Sequence, residues 1–166
     1  MKKRALKYIA RAAAIAAMYA VMTLAIPAIS YGPFQFRAAE SLTLLPILFS
    51  EAVAGLTIGC LIANVFSPYG WYDMVFGTAA TLIAAVLTRF IATRKRLKDM
   101  EIMPVLASFP PIFVNALVLP LIWLWFAGDK GYFLNMWTIM ATQSAVIFIL
   151  GLPLYLGIKK TKIHLR

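Results

Sequence analysis

Long apolar runs separated by short basic or aromatic-rich stretches organise this chain. The longest runs cover residues 10–29, 74–93, 105–126 and 137–157. Each is close to the roughly 20 residues that a helix rising about 1.5 Å per residue needs to cross a hydrocarbon core of about 30 Å. Two shorter apolar segments, 37–49 and 51–66, follow the first run, with Pro46 and a turn around Phe49 to Glu51 between them. Being short for an isolated span, each should be tilted, packed inside protein, or both. A re-entrant hairpin is the rival arrangement. In either case irregular backbone at membrane depth has to be shielded from lipid or line a cavity, so short segments here point to a binding site.

Charge sets the orientation. Lys and Arg concentrate in three clusters: Lys2, Lys3, Arg4, Lys7 and Arg11; Arg89, Arg94, Lys95, Arg96 and Lys98; and Lys159, Lys160, Lys162 and Arg166. Such clusters belong in cytoplasmic loops. The first run then leaves the cytoplasm and the run 74–93 returns to it, so residues 32–72 begin and end outside and cross an even number of times or not at all. The expectation is an all-α membrane protein: a six-transmembrane-helix bundle forming a single integral domain over residues 1–166, with two short helices after the first and both termini cytoplasmic. The basic start and apolar run also resemble a secretory signal, but the run is long and lacks a clean small-x-small cleavage site, so it reads as the first span.

Composition supports the membrane assignment and narrows the chemistry. The 166 residues are 63% hydrophobic and 13% charged, against about 45–50% and about 25% in soluble domains. The net charge of +10 reports orientation and implies no nucleic-acid partner. Cys60 and His164 are single residues of their types, so no disulfide within the chain and no Cys/His metal site is expected. No phosphate-binding loop, nucleophile elbow or zinc-protease motif occurs, and no cofactor is implied.

Polar chemistry collects between Tyr31 and Gly77. Arg37 and Glu40, three apart, share one face of a helix, either reaching one ligand or forming a local ion pair. Asp73 lies among Tyr69, Trp71 and Tyr72, residues that can anchor at the interface or stack on a planar ligand. Asn115 and Gln143 lie within the last two spans, where each either satisfies a freed backbone group or contacts a ligand. Asn64 is a weaker candidate. Pro110, Pro111 and Pro120 should kink or open the fifth span. Trp123, Trp125, Tyr132, Phe133 and Trp137 flank the last outer loop, most of them as interfacial belt, while one or two could stack on a planar ligand. In the first span Ala12, Ala16 and Ala20, with Ala13 and Ala17 beside them and Ala10 and Ala14 in a third register, form small-xxx-small faces on which a partner helix can dock; the alternative is that alanine, a good helix former, simply faces the chain's own bundle.

The segments GPFQFRAAESLTLLP, EAVAGLTIGCLIAN and DMVFGTAATLIAAVLTR resemble the QueT family, the substrate-binding (S) components of energy-coupling factor transporters that import queuosine precursors. The resemblance implies a six-helix S component in the cell membrane. It would work with a separate transmembrane coupling protein (the T component) and two cytoplasmic ATPases. It maps the helix-one docking motif onto Ala12, Ala16 and Ala20, and it implies a 7-deazaguanine ligand: 7-aminomethyl-7-deazaguanine, its 7-cyano form, or queuine. Glu40 suits the paired donors of a guanine edge. Arg37 can donate to O6 or hold Glu40, and Asp73 can neutralise an aminomethyl cation. Gln35, inside the same motif, joins them as an expected site residue. Two rival readings are a stand-alone homo-oligomeric channel or facilitator, with the alanine face as a self-association surface, and an intramembrane enzyme using Glu40 and Asp73 as acid and base.

Overall fold

The computed structural model describes residues 2–31, 35–97 and 100–164. Gly32, Lys98, Asp99 and Arg166 lie outside the described residues, as do the side chains of Lys2, Lys162 and His164. The regular structure among the described residues is all helical. Four helical stretches, Lys3–Leu24, Asp73–Thr93, Met103–Ala127 and Tyr132–Thr161, are long and apolar enough to cross a membrane, and Ala38–Ile47 and Glu51–Asn64 are shorter apolar helices.

Helix α1 (Lys2–Leu24) stops short of the expected end of its apolar run, and a single turn, α2 (Pro27–Ser30), follows. The cause is Pro27, whose ring pushes the preceding residue out of the helical region; Ile26 accordingly has φ −137° and ψ 73°. The first short segment is a 3-10 helix, Ala38–Ile47, where the sequence suggested an α-helix from 37 to 49. Runs of this length are uncommon because 3-10 hydrogen bonds are poorer. Here burial of almost every side chain from Ala39 to Pro46 holds it in place. At about 2 Å of rise per residue it spans a length similar to that of α3 (Glu51–Asn64).

Small residues set how closely these elements approach. A Cβ on Gly55 would lie 2.8 Å from the Ala12 carbonyl oxygen, and one on Gly59 would lie 2.7 Å from that of Ala16. Thus α1 and α3 pack backbone to backbone at Ala12 and Ala16, and Ala20, one turn further on, is buried as well. Gly151 plays the same part elsewhere, since a Cβ there would meet the Ser41 carbonyl oxygen at 3.0 Å.

The remaining helices are α4 (Thr78–Thr93), α5 (Met103–Leu106), α6 (Phe109–Ile122), α7 (Tyr132–Val146) and α8 (Leu152–His164). Pro110 and Pro111 fall in the first turn of α6, where the missing donors have no intrahelical acceptor to lose, so they begin the helix instead of opening it. Pro120 does lie inside α6, and a π turn, Trp123–Ala127, follows it. Further π turns, Asp73–Gly77 and Ile147–Gly151, lead into α4 and α8.

One end of the bundle is basic. Arg11 pairs with Glu51 at 2.9 Å, and Arg89 Nη1 donates to the carbonyls of Pro46 and Ile47 at 3.0 and 3.3 Å. The first two basic clusters therefore meet the turn between the short helices. Arg37 lies at the opposite end of the 3-10 helix, which directs it away from that basic end.

Candidate functional site

Arg37 caps the 3-10 helix and Glu40 lies in its first turn. At three residues per turn the two side chains eclipse, and both face the same cavity. They are not paired with each other. Glu40 accepts hydrogen bonds from Tyr19 Oη at 2.6 Å and from Gln143 Nε2 at 2.9 Å, and Asn115 Nδ2 donates to Gln143 Oε1 at 3.2 Å. One buried carboxylate thus ties together α1, α6, α7 and the 3-10 helix. Charge-assisted bonds of this kind are shorter and stronger than neutral ones.

Arg37 has its own set of partners. Its Nε donates to the Ser30 carbonyl at 3.2 Å, Nη1 donates to Asn64 Oδ1 at 3.3 Å, and the guanidinium lies over the Tyr31 ring at 5.0 Å. Nη2 lies 3.6 Å from Asp73 Oδ2, an ion pair with both side chains buried. Asn64 Nδ2 reaches the Asp73 carbonyl at 3.1 Å and Cys60 Sγ at 3.3 Å. The Thr81 hydroxyl lies 3.2 Å from both Cys60 Sγ and the Gly77 carbonyl.

Between these groups lies a cavity of about 10 Å³, space for a single water at most. Gln35, Arg37, Glu40, Asn115 and Gln143 supply its polar lining, with Gly77, Thr81, Leu119 and Ile139 completing it. Several buried atoms around it make no hydrogen bond among the described residues: Arg37 Nη2 and both carboxylate oxygens of Asp73. The Gln35 amide faces Tyr69 without a well-formed bond. Gln35 also has φ 47°, a left-handed conformation uncommon outside glycine. Buried polar groups are normally satisfied, so a cluster of unpaired ones marks a place where a partner belongs.

The structure brings five of the expected site residues, Gln35, Arg37, Glu40, Asn115 and Gln143, around one cavity and sets the others beside it. Asp73 is one step removed, holding Arg37. Tyr69 does not line the cavity but stacks on Trp123, centroids 4.8 Å apart. Tyr72 stacks on Phe126 at 5.5 Å, and Trp71 is 61% exposed. Burial, then the negative charges of Asp73 and Asp129, pushes the Tyr69 hydroxyl above its ordinary range. Of the aromatic residues around the last outer loop, Trp123 is buried, whereas Trp125, Phe133 and Trp137 are exposed. Ala12 and Ala16 are occupied by the contact with α3 and Ala20 is buried, while Ala13 and Ala17 stay exposed. Sequence reasoning missed Tyr19, Gly77 and Thr81. Tyr19 and Thr81 carried one signal, a hydroxyl within an apolar span, which needs a partner when buried.

The fold and site together define a bundle of membrane-length apolar helices that encloses a set of buried polar side chains. The family model described as QueT transporter matches residues 9–160, and the chain belongs to that family, one of transporters and not of enzymes. The curated "Queuosine precursor transporter QueT" of Lactococcus lactis subsp. cremoris is 38% identical over 85 residues. That match covers 50% of this chain and 50% of the relative, so the aligned region spans half of the relative's length. No solved structure matches the chain.

Proposed function

We propose that the chain is the substrate-binding component of an energy-coupling factor importer, capturing a queuosine precursor of the 7-deazaguanine class from outside the cell. The observation that carries this reading is the Glu40 carboxylate, buried at the cavity wall and oriented by Tyr19 and Gln143. Lone pairs left over on its two oxygens suit the parallel N1–H and exocyclic amine of a guanine edge. Arg37 Nη2, unpaired by hydrogen bonds, suits O6. In a deazaguanine N7 is carbon, so a single donor replaces the usual bidentate arginine contact.

The cavity measures about 10 Å³, far below the roughly 300 Å³ and above of small-molecule sites. Binding therefore requires the spans around it to part. That enclosure favours capture over a stand-alone channel. The six-span count and cytoplasmic termini are part of the proposal, supported by the gathering of Arg11 and Arg89 at the end away from Arg37. So is the external energy source, a T component and two ATPases. For the T component, the exposed small face of α1 with Ala13 and Ala17 is available, and the buried register is not.

The test is binding of 7-aminomethyl-7-deazaguanine to the purified chain without nucleotide. Affinity in the micromolar range or tighter is expected, with Glu40→Gln losing at least tenfold, about 1.4 kcal/mol. Unchanged binding in that variant removes Glu40 from the site. Single cysteines placed at Trp71 and Lys95 should label from opposite faces of the membrane, and labelling of both from one face refutes the orientation.

A further inference from the structure

Arg89 stands apart from the basic cluster in which the sequence places it. Arg94, Lys95 and Arg96 are exposed, whereas Arg89 is half-buried and its guanidinium pairs with no carboxylate among the described residues. Its Nη1 donates instead to two backbone carbonyls, Pro46 at 3.0 Å and Ile47 at 3.3 Å. Those are the last two residues of the 3-10 helix. The Leu45 carbonyl before them is taken by the amides of Leu48 and Phe49, both at 2.9 Å. Helix ends leave carbonyls without intrahelical donors, and here one side chain from α4 serves both.

The other end of the same helix is also tied down. Arg37 is held by Ser30, Asn64 and Asp73, and Glu40 by Tyr19 and Gln143. Between these two anchorages the ten residues Ala38–Ile47 cover about 20 Å as a 3-10 helix, against about 15 Å as an α-helix. Hydrogen bonds are better in the α form, and 3-10 runs of this length are uncommon. Pro46, inside the helix, explains only part of the choice: its ring and missing amide exclude the α bond to the Leu42 carbonyl, but the turns before it carry no such restriction. What keeps those turns extended is that both ends of the helix are fastened to other elements.

We propose that Arg89 is a positioning residue for the site: by fastening the far end of the 3-10 helix to α4 it keeps the helix extended, and so sets where Arg37 and Glu40 stand against Asn115 and Gln143. This rests on the reading of Glu40 as the carboxylate that meets the ligand. Without the anchor, the turns before Pro46 tighten toward α geometry, shortening by about 0.5 Å and rotating by about 20° for each residue converted. Arg37 and Glu40 then no longer eclipse, and Glu40 turns away from Gln143. The binding groups are thus held from the basic end of the bundle, about 20 Å along the helix.

The experiment pairs a distance with an affinity. Phe36 and Ser50 are exposed and flank the helix, so cysteines there take spin labels, while Cys60 is fully buried. In the purified full chain without ligand, Arg89→Met should shorten the distance between the labels by about 2–5 Å in double electron–electron resonance. On the unlabelled variant, binding of 7-aminomethyl-7-deazaguanine measured well below the melting temperature should weaken about tenfold or more. Arg89→Lys keeps donors for the two carbonyls and should restore both readings. Arg11→Met controls for a merely structural role: it breaks the other contact at the basic end, with Glu51, without touching the 3-10 carbonyls, and should leave distance and affinity in place whatever it does to the melting temperature. If Arg89→Met does not fold, Arg89→Gln, shorter and uncharged, carries the same two expectations. An unchanged distance or an unchanged affinity in a folded Arg89 variant, or an equal effect from Arg11→Met, overturns the proposal. An unaltered chain that binds no base overturns the queuosine-precursor reading, and the label distance, which needs no ligand, still decides whether Arg89 holds the helix extended.

Discussion

The approach of α1 to α3 offers a sharp test of how the site is held. In Gly59→Ala, the new methyl group would lie 2.7 Å from the Ala16 carbonyl oxygen, 2.8 Å from Tyr19 Cβ and 3.0 Å from Ala16 Cα. Backbone atoms and a Cβ cannot rotate away as a long side chain can, so α1 must retreat. Overpacking of this kind costs about 1–3 kcal/mol. Replacing a helical glycine by alanine returns about 0.5–1 kcal/mol, leaving a net loss between about 0 and 2.5 kcal/mol, or up to about 10 °C in melting temperature for a chain of this size. Gly157→Ala is the matched control, because a Cβ there meets nothing within 4 Å and only the helical gain remains. Thermal unfolding of the detergent-solubilised variants should move in opposite directions. Ligand affinity should also fall in Gly59→Ala, since Tyr19 travels with α1 and its hydroxyl is 2.6 Å from Glu40. A Gly59→Ala variant as stable as Gly157→Ala, with unchanged binding, would refute the close α1–α3 contact and its part in the site.

Three further outcomes follow from the same geometry. Arg37→Met should destabilise by about 3–5 kcal/mol, because Asp73 is left buried without its counter-charge, and the double variant Arg37→Met/Asp73→Leu should recover much of that loss; melting curves showing no recovery would break the pairing. Asn115→Leu leaves Gln143 Oε1 without its donor, at about 1–3 kcal/mol, and should lower both melting temperature and base affinity; a more stable variant would mean that the Asn115–Gln143–Glu40 series contributes nothing. Trp123→Ala should cost about 3–5 kcal/mol, since that ring is buried and stacked on Tyr69, whereas Trp71→Ala, at a position 61% exposed, should stay within about 0.5 kcal/mol. The reverse order in unfolding experiments would put the wrong tryptophan in the core.

Much of this protein is written locally in the chain. Runs of apolar residues long enough for a bilayer determined the helical membrane class, and the spacing of Arg37 and Glu40 placed both on one helical face, because burial in lipid and helical repeat are properties of neighbouring residues. The partners of those residues are another matter. Glu40 meets Tyr19 and Gln143 across separations of 21 and 103 residues, and no local pattern reports how one helix is rotated against another. That rotation was decided by where backbones can touch: Gly55 and Gly59 drew Ala12 and Ala16 inward and left Ala13 and Ala17 outside. The same tertiary choice took Tyr69 and Tyr72 off the cavity and stacked them on Trp123 and Phe126, since an aromatic ring near an interface fits a core or a headgroup region equally well until its neighbours are in place.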